Sequence, residues 1–341
     1  MKSVWFLLTL GLVLATPASA GSAGSGDQAS GVGSAAGAAG FTDPRQWLER
    51  MSHAIKETNY QGVLVFGNDQ LWHTMAISHA MADGIEYEKI SHLTGNPREI
   101  IRAGQDVSCT HPDDQALRLY DQSANLLSGI DPHLPALDSY YQLRQARPER
   151  IAGRNALQIQ VIPNDTFRFG QNLWLDEETG LLLRSDLVDR SRKVIERYQF
   201  AQITIGQAIP ASEFEVPPGS HQYVSHLATP GVTTMVEHQQ GWYPQWVPPG
   251  FALSVERDAA SRDALMYSDG LSAFTLFVDQ VEQDSMPDMS RRWGATAAVV
   301  RHQRDGERNM RITVVGELPM ATAKRIALSV RHAGDNPVSG R

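Results

Sequence analysis

Eleven histidines and a single cysteine, Cys109, are where metal or nucleophilic chemistry would have to reside in this chain of 341 residues. Neither type is arranged for it. His73 and His79 fall on one strand face, but six residues of strand put them about 20 Å apart, too far to share an ion. His221 and His226 stand at i and i+5, a poor spacing for one helix face. His111 precedes Pro112-Asp113-Asp114 and reads as turn chemistry. Cys109 sits in the strand-like alternation Asp106-Val-Ser-Cys-Thr and suits a buried small hydrophobe. A catalytic thiol is the alternative, and no neighbour in sequence would activate it. The carboxylate pairs Asp113/Asp114 and Glu177/Glu178 lie in turns, where they meet solvent rather than flank a glycosidic bond. The sequence lacks a phosphate loop, His-Glu-x-x-His, Cys-x-x-Cys and a complete Gly-x-Ser-x-Gly elbow. Gly31-Val-Gly-Ser-Ala-Ala-Gly imitates a dinucleotide loop, but its third glycine comes one place late and no strand precedes it. The expectation is a protein that works by binding, with no catalytic residue, no metal and no cofactor.

The elements around these residues begin with an export signal. Lys2, the apolar run Trp5 to Ala15, Pro17 and the small residues Ala18-Ser19-Ala20 predict a signal peptide over 1–20, cut after Ala20. The run is too short for a bilayer span, which needs roughly 20 residues. Residues 21–40 are Gly, Ala and Ser almost throughout and predict a flexible leader. Thr42-Asp43-Pro44 then caps a helix carrying Trp47, Leu48, Met51, Ala54 and Ile55 at helical spacing, ending near Asn59.

Alternating strand patterns separated by turn residues fill the rest of a first domain, 41–208. The stretch His133 to Arg147 reads as helical and broken by proline. Residues 209–230, with Pro210, Pro217-Pro218-Gly219 and Pro230, read as an irregular linker. A second domain, 231–335, shows six strand patterns and a closing helix over Thr322 to Arg331. The predicted fold class is α+β: a large, curved antiparallel sheet packed on helices, then a smaller antiparallel sheet with a closing helix.

Composition narrows the partners. The chain is 42% hydrophobic, enough to bury cores, and its net charge of −8 argues against nucleic acid. One cysteine excludes an intrachain disulfide. Charge is uneven: residues 209–288 carry eleven acids against Arg257 and Arg262, whereas residues 289–341 carry ten Arg and Lys against four acids. The basic end is either a solvated counterweight or a landing surface for an anionic partner. Val63, Val65, Met75, Ile77, Tyr87, Ile159, Val161, Phe167, Phe169, Leu173 and Leu175 are the candidates for one apolar sheet face. Such a face fills an ordinary core or lines a groove for an acyl chain or peptide; periodicity does not separate the two.

Several longer strings resemble the RseB/MucB family. They are Asn59-Tyr-Gln-Gly-Val-Leu-Val-Phe-Gly, Arg98-Glu-Ile-Ile-Arg, Phe167-Arg-Phe-Gly-Gln-Asn-Leu-Trp-Leu-Asp, Glu178-Thr-Gly-Leu-Leu-Leu-Arg-Ser-Asp, Trp246-Val-Pro-Pro-Gly-Phe and Tyr267-Ser-Asp-Gly-Leu-Ser-Ala-Phe. The resemblance runs in order from about Asp43 to Arg331, and the leader departs from it. It implies a LolA/LolB-like half-open barrel as the large domain. It also implies a periplasmic negative regulator of the sigma-E pathway or its alginate-controlling counterpart. Such a protein binds the periplasmic part of an RseA- or MucA-like anti-sigma factor, shields it from site-1 proteolysis, and is released by lipopolysaccharide or another acylated ligand. Two domains joined through a proline-rich segment could change relative pose in such a release. The groove residues expected on this reading are Trp72, Met75, Tyr87, Phe167 and Trp174. Arg291, Arg292, Arg304, Arg308 and Arg311 are the candidates for a partner or anion. A periplasmic lipid or lipoprotein carrier is the competing reading, and a homodimer is left open.

Overall fold

The computed structural model describes residues 43–68, 71–104, 106–110, 137–217, 221–224, 241–259, 262–281, 287–306 and 308–333. Helix α1 (Pro44–Glu57) starts where the sequence provides a cap: the Asp43 carboxylate accepts the Arg45 N–H at 2.9 Å, and Pro44 fills the first turn. Its apolar stripe, Trp47, Leu48, Met51, Ala54 and Ile55, is buried.

The strands that receive this stripe are β1 (Tyr60–Gly67), β2 (Trp72–Ala82), β3 (Ile85–His92), β4 (Glu99–Ala103), β5 (Asp106–Thr110), β6 (Tyr141–Gln145), β7 (Glu149–Ile151), β8 (Arg154–Pro163), β9 (Gly170–Asp176), β10 (Leu182–Val188), β11 (Val194–Ile205) and β12 (His221–Val224). They form one antiparallel sheet in the order β12-β5-β4-β3-β2-β1-β11-β10-β9-β8-β6, with β7 also on β8. Among the described residues the two edge strands do not pair with each other, so the sheet stays open and curves around α1. This is the half-open architecture expected from the sequence.

Two segments differ from expectation. Part of the stretch read as helical, His133 to Arg147, is a single helical turn, α2 (Leu137–Tyr140), followed by strand β6. Tyr141 and Leu143 alternate onto the core, and that period of two was hidden behind the prolines. The proline-rich linker supplies the 3₁₀ turn Ala211–Phe214 and then the edge strand β12, which pairs with β5. Residues 111–136, including His111, Asp113 and Asp114, lie outside the described residues, as does His226.

The inner face of the large sheet is packed. Met75, Ile77, Ile90, Ile159, Val161, Leu173 and Leu175 close around α1 with Tyr60, Leu64, Tyr198 and Phe200. On β1 the inward residue is Leu64, which sits opposite Met75, whereas Val63 and Val65 point to the convex side and are half-buried. A one-residue change of phase moves every side chain of a strand to the other face, and here partner register sets the phase.

The second domain has a six-stranded antiparallel sheet of β14 (Ala252–Ala259), β15 (Arg262–Ser268), β16 (Ala273–Val281), β17 (Met289–Trp293), β18 (Thr296–Asp305) and β19 (Arg308–Gly316), ordered β14-β15-β16-β19-β18-β17. Helix α3 (Met320–Ser329) lays Ala323, Ile326 and Ala327 against Phe274, Leu276, Ile312 and Val314. A two-stranded ribbon, β13 (Trp242–Pro244) with β20 (Val330–His332), completes it. The closing helix stops at Ser329 rather than Arg331, because Val330 to His332 extends to pair with β13.

Candidate functional site

The most elaborate polar chemistry lies where the two sheets meet. Arg168 is fully buried in the segment between β8 and β9. Its guanidinium contacts the Asp269 carboxylate at 2.5 Å and the Asp165 carboxylate at 3.0 Å, and donates to the Pro249 carbonyl. Its Cζ lies 5.0–5.3 Å from the Tyr140, Tyr141 and Phe251 ring centroids. Asp269, on the turn after β15, also accepts the Tyr141 hydroxyl at 2.8 Å and the N–H groups of Leu271 and Ser272 at 3.0 and 2.8 Å. The lone pairs of the Asp269 carboxylate are therefore met. Burial opposes the charge of Arg168, but Asp269, Tyr141 and Asp165 more than offset it and raise its pKa. Burial and then Asp269 push the Tyr141 phenol far above its ordinary range, so it stays a donor.

Two further contacts close the seam. Phe167 meets Trp246 edge to face at 5.2 Å, and the Arg325 guanidinium of α3 lies 3.7 Å from the Trp246 ring centroid. On the other side Phe169, Leu187 and Ile195 pack on Ala295. There the Glu196 carboxylate accepts the Ala295 N–H at 3.1 Å. Burial, and then the charge of Glu317, push Glu196 up to about 7. Burial alone raises Glu317. The described domains are thus fastened by buried charge and aromatic contacts as well as by the chain between them.

The expected groove residues scatter. Met75 and Trp174 are buried in the large core, and the Arg184 guanidinium covers the Trp174 ring at 4.0 Å. Tyr87 is on the convex side against Phe214 at 5.5 Å. Phe167 is at the domain seam, and Trp72 is 51% exposed at the start of β2. The five do not converge on one surface: Trp72 and Tyr87 fall on the opposite face from Met75, because strand neighbours alternate. The arginines divide as well. Arg291 and Arg292 are exposed on β17, opposite Ala298 and Ala297. Arg304 and Arg308 are exposed at the β18–β19 turn, about 20 Å further along β18. Arg311 binds Asp279 at 3.3 Å.

Sequence reading missed Arg168, Asp269, Trp246, Arg325, Glu196 and Glu317. The available signal was a charge flanked by bulky apolar residues, Phe167-Arg168-Phe169, which cannot stay solvated when its neighbours are buried.

Comparison with known proteins adds to this picture. The MucB/RseB N-terminal domain profile matches residues 43–218, and the MucB/RseB C-terminal domain profile matches residues 236–331. The chain belongs to the MucB/RseB family. It is 31% identical over 338 residues to the sigma factor AlgU regulatory protein MucB of Pseudomonas aeruginosa, covering 97% of this chain and 98% of that one. It is 30% identical to the sigma-E factor regulatory protein RseB of Haemophilus influenzae, covering 84% and 90%. A crystal structure of MucB in complex with MucA(peri) superposes with a TM-score of 0.65 at 30% identity, covering 85% of this chain and 99% of that one. The seam of this MucB/RseB chain draws on both matched regions: Arg168 and Glu196 lie in the first, Asp269, Ala295 and Glu317 in the second.

Proposed function

We propose that this chain is an exported regulatory binding protein. It holds the periplasmic segment of a membrane-bound anti-sigma factor of the RseA/MucA kind, shields it from site-1 proteolysis, and so keeps an envelope-stress sigma factor silent. The observation that carries the reading is near-complete alignment with a sigma factor regulatory protein, at 31% identity over 97% of the chain. The solved likeness of a MucB bound to MucA(peri) names the class of partner. The signal-like residues 1–20 support export to the periplasm, and among the described residues no helix is long and apolar enough to cross a membrane.

The function needs surface, not bond-making. Exposed Arg291, Arg292, Arg304 and Arg308 offer cations to an acidic partner segment. Lipopolysaccharide or another acylated ligand releases the partner by binding the free state more tightly; a tenfold preference corresponds to about 1.4 kcal/mol. The carrier reading has less support, because the described inner face of the large sheet is filled by its own core and α1.

The test is a cleavage assay with the mature chain, the anti-sigma periplasmic segment and its site-1 protease, with and without acylated ligand. Protection without ligand and cleavage with it are expected. Unimpeded cleavage in the absence of ligand removes the proposal; protection that survives saturating ligand removes the release step alone.

A further inference from the structure

One end of the molecule gathers apolar tips and cations. The end of β1 and the start of β2, the β3–β4 turn at 93–98 and the β10–β11 turn at 189–193 all lie at the same end of the large sheet. The pairings Gly67↔Arg197 and Met75↔His92 require this. The β17–β18 tip joins them: a Cβ on Gly294 would meet the Glu196 carboxylate and lie 2.9 Å from the Asn68 amide. A small cleft of about 170 Å³, lined by Gly67, Asn68, Trp72, Glu196 and Arg197 among others, lies beside that contact.

Of the eight large apolar side chains exposed among the described residues, four sit here: Leu71 (55%), Trp72 (51%), Leu93 (55%) and Trp293 (55%). The Leu93 N–H bonds to the Thr74 carbonyl at 2.8 Å, which places Leu93 on the face that carries Trp72. Around them these turns and the adjoining strand β17 carry Arg98, Arg190, Arg192, Lys193, Arg291 and Arg292 against the carboxylates of Asp189 and, at the cleft, Glu196, on a chain whose net charge is −8.

We propose that this end is a docking surface for an anionic lipid membrane, entered by Trp72, Trp293, Leu71 and Leu93 and steered by the surrounding arginines and lysine. Tryptophan and leucine on protruding turns, ringed by cations, match the interfacial zone of a bilayer, where an amphipathic ring has its apolar body in the acyl boundary and cations meet phosphates. A second copy fits less well, since a two-fold interface would set these arginines against themselves. A protein partner that inserts a side chain meets at this end, among the described residues, a small cleft of about 170 Å³.

The inference shares Arg291 and Arg292 with the anti-sigma reading, so its test contains neither partner nor protease and its cation variant is placed at Arg190 and Arg192. The mature chain is sedimented with phosphatidylcholine vesicles and with mixed phosphatidylcholine/phosphatidylglycerol vesicles, while tryptophan emission is followed. Binding to the anionic vesicles, a blue shift and weakening by salt are expected. Trp72→Ser/Trp293→Ser should bind about tenfold or more weakly, as should Arg190→Gln/Arg192→Gln, with circular dichroism unchanged. Leu71→Ser/Leu93→Ser gives the same readout should the tryptophan variant misfold. No binding to anionic vesicles overturns the proposal, as does binding that all three variants retain. A dimer in sedimentation velocity that the tryptophan variant abolishes, with no vesicle binding, also overturns it.

Discussion

The two polar contacts across the domain seam solve the same problem in opposite ways. At one, Arg168 and Asp269 enter a dry site as a matched pair, with Tyr141, Asp165 and backbone groups meeting the remaining donors and acceptors. At the other, Glu196 enters with Glu317 as its charged neighbour and the Ala295 N–H as its donor. At the first contact one cation faces two carboxylates, and although burial raises the Asp269 carboxyl, Arg168 and three hydrogen bonds favour its charged form. At the second, burial and then the charge of Glu317 raise the Glu196 carboxyl to about 7, so a proton offsets the cost of its burial.

Breaking the matched pair should have the largest effect. Arg168→Ala leaves Asp269 buried without its cation and is expected to destabilise the protein by about 3–5 kcal/mol, read by urea unfolding. Removing both charges together in Arg168→Met/Asp269→Leu should recover most of that loss; a double variant as unstable as the single would refute the account of a balanced pair. Gly294→Ala attacks the second contact. Its backbone is at φ +55°, and the new Cβ would run into the Glu196 carboxylate. A loss of about 1–3 kcal/mol is expected, with the Arg168 contact intact.

The pH dependence separates the two contacts without changing the backbone. The folded pKa of Glu196 is raised to about 7. Its favourable contribution is therefore complete below the ordinary glutamate range and fades as pH climbs through about 7. Glu196→Gln should abolish this trend and raise stability by roughly 1–2 kcal/mol at pH 8, with little change at pH 5. An unaltered pH–stability slope would mean that Glu196 is not the titrating group. Asp186 runs the other way. Burial alone would raise it, but Arg184 and Arg197 outweigh burial and hold it low, so its contribution is present at neutral pH and disappears only in acid. The smallest effect belongs to the exposed aromatic contact: Arg325→Met should weaken the hold on Trp246 and Phe167 by about 0.5–1 kcal/mol.

Legibility from sequence followed the range of the interaction. Helix α1 was readable to its first residue, because its cap and its apolar stripe are local. Strands β1, β2, β8, β9, β11, β16 and β19 were readable for the same reason: alternation and turn residues are carried within a few positions. Strand β17 escaped, since Met289-Ser-Arg-Arg-Trp is mostly exposed and has no alternating apolar face. Strand β12 escaped because it is short and lies among prolines. The five candidate groove residues do not share one face, for a different reason. Trp72 and Met75 are three residues apart, and an odd spacing sends them to opposite faces whatever their hydrophobicity.

By itself the sequence determined the period of most elements, the start and apolar stripe of the helix that fills the large sheet, the basic cast of the last fifty residues, and enough ordered motifs to point to the family. Only the tertiary structure decided which charges leave water. Arg168 and Asp269 are 101 positions apart, and nothing within either neighbourhood specifies the other. Burial of a charge is tolerable only when its partner arrives in three dimensions, so the seam, its proton-sensitive half and the exposed tryptophans beside it came into view when the chain was folded.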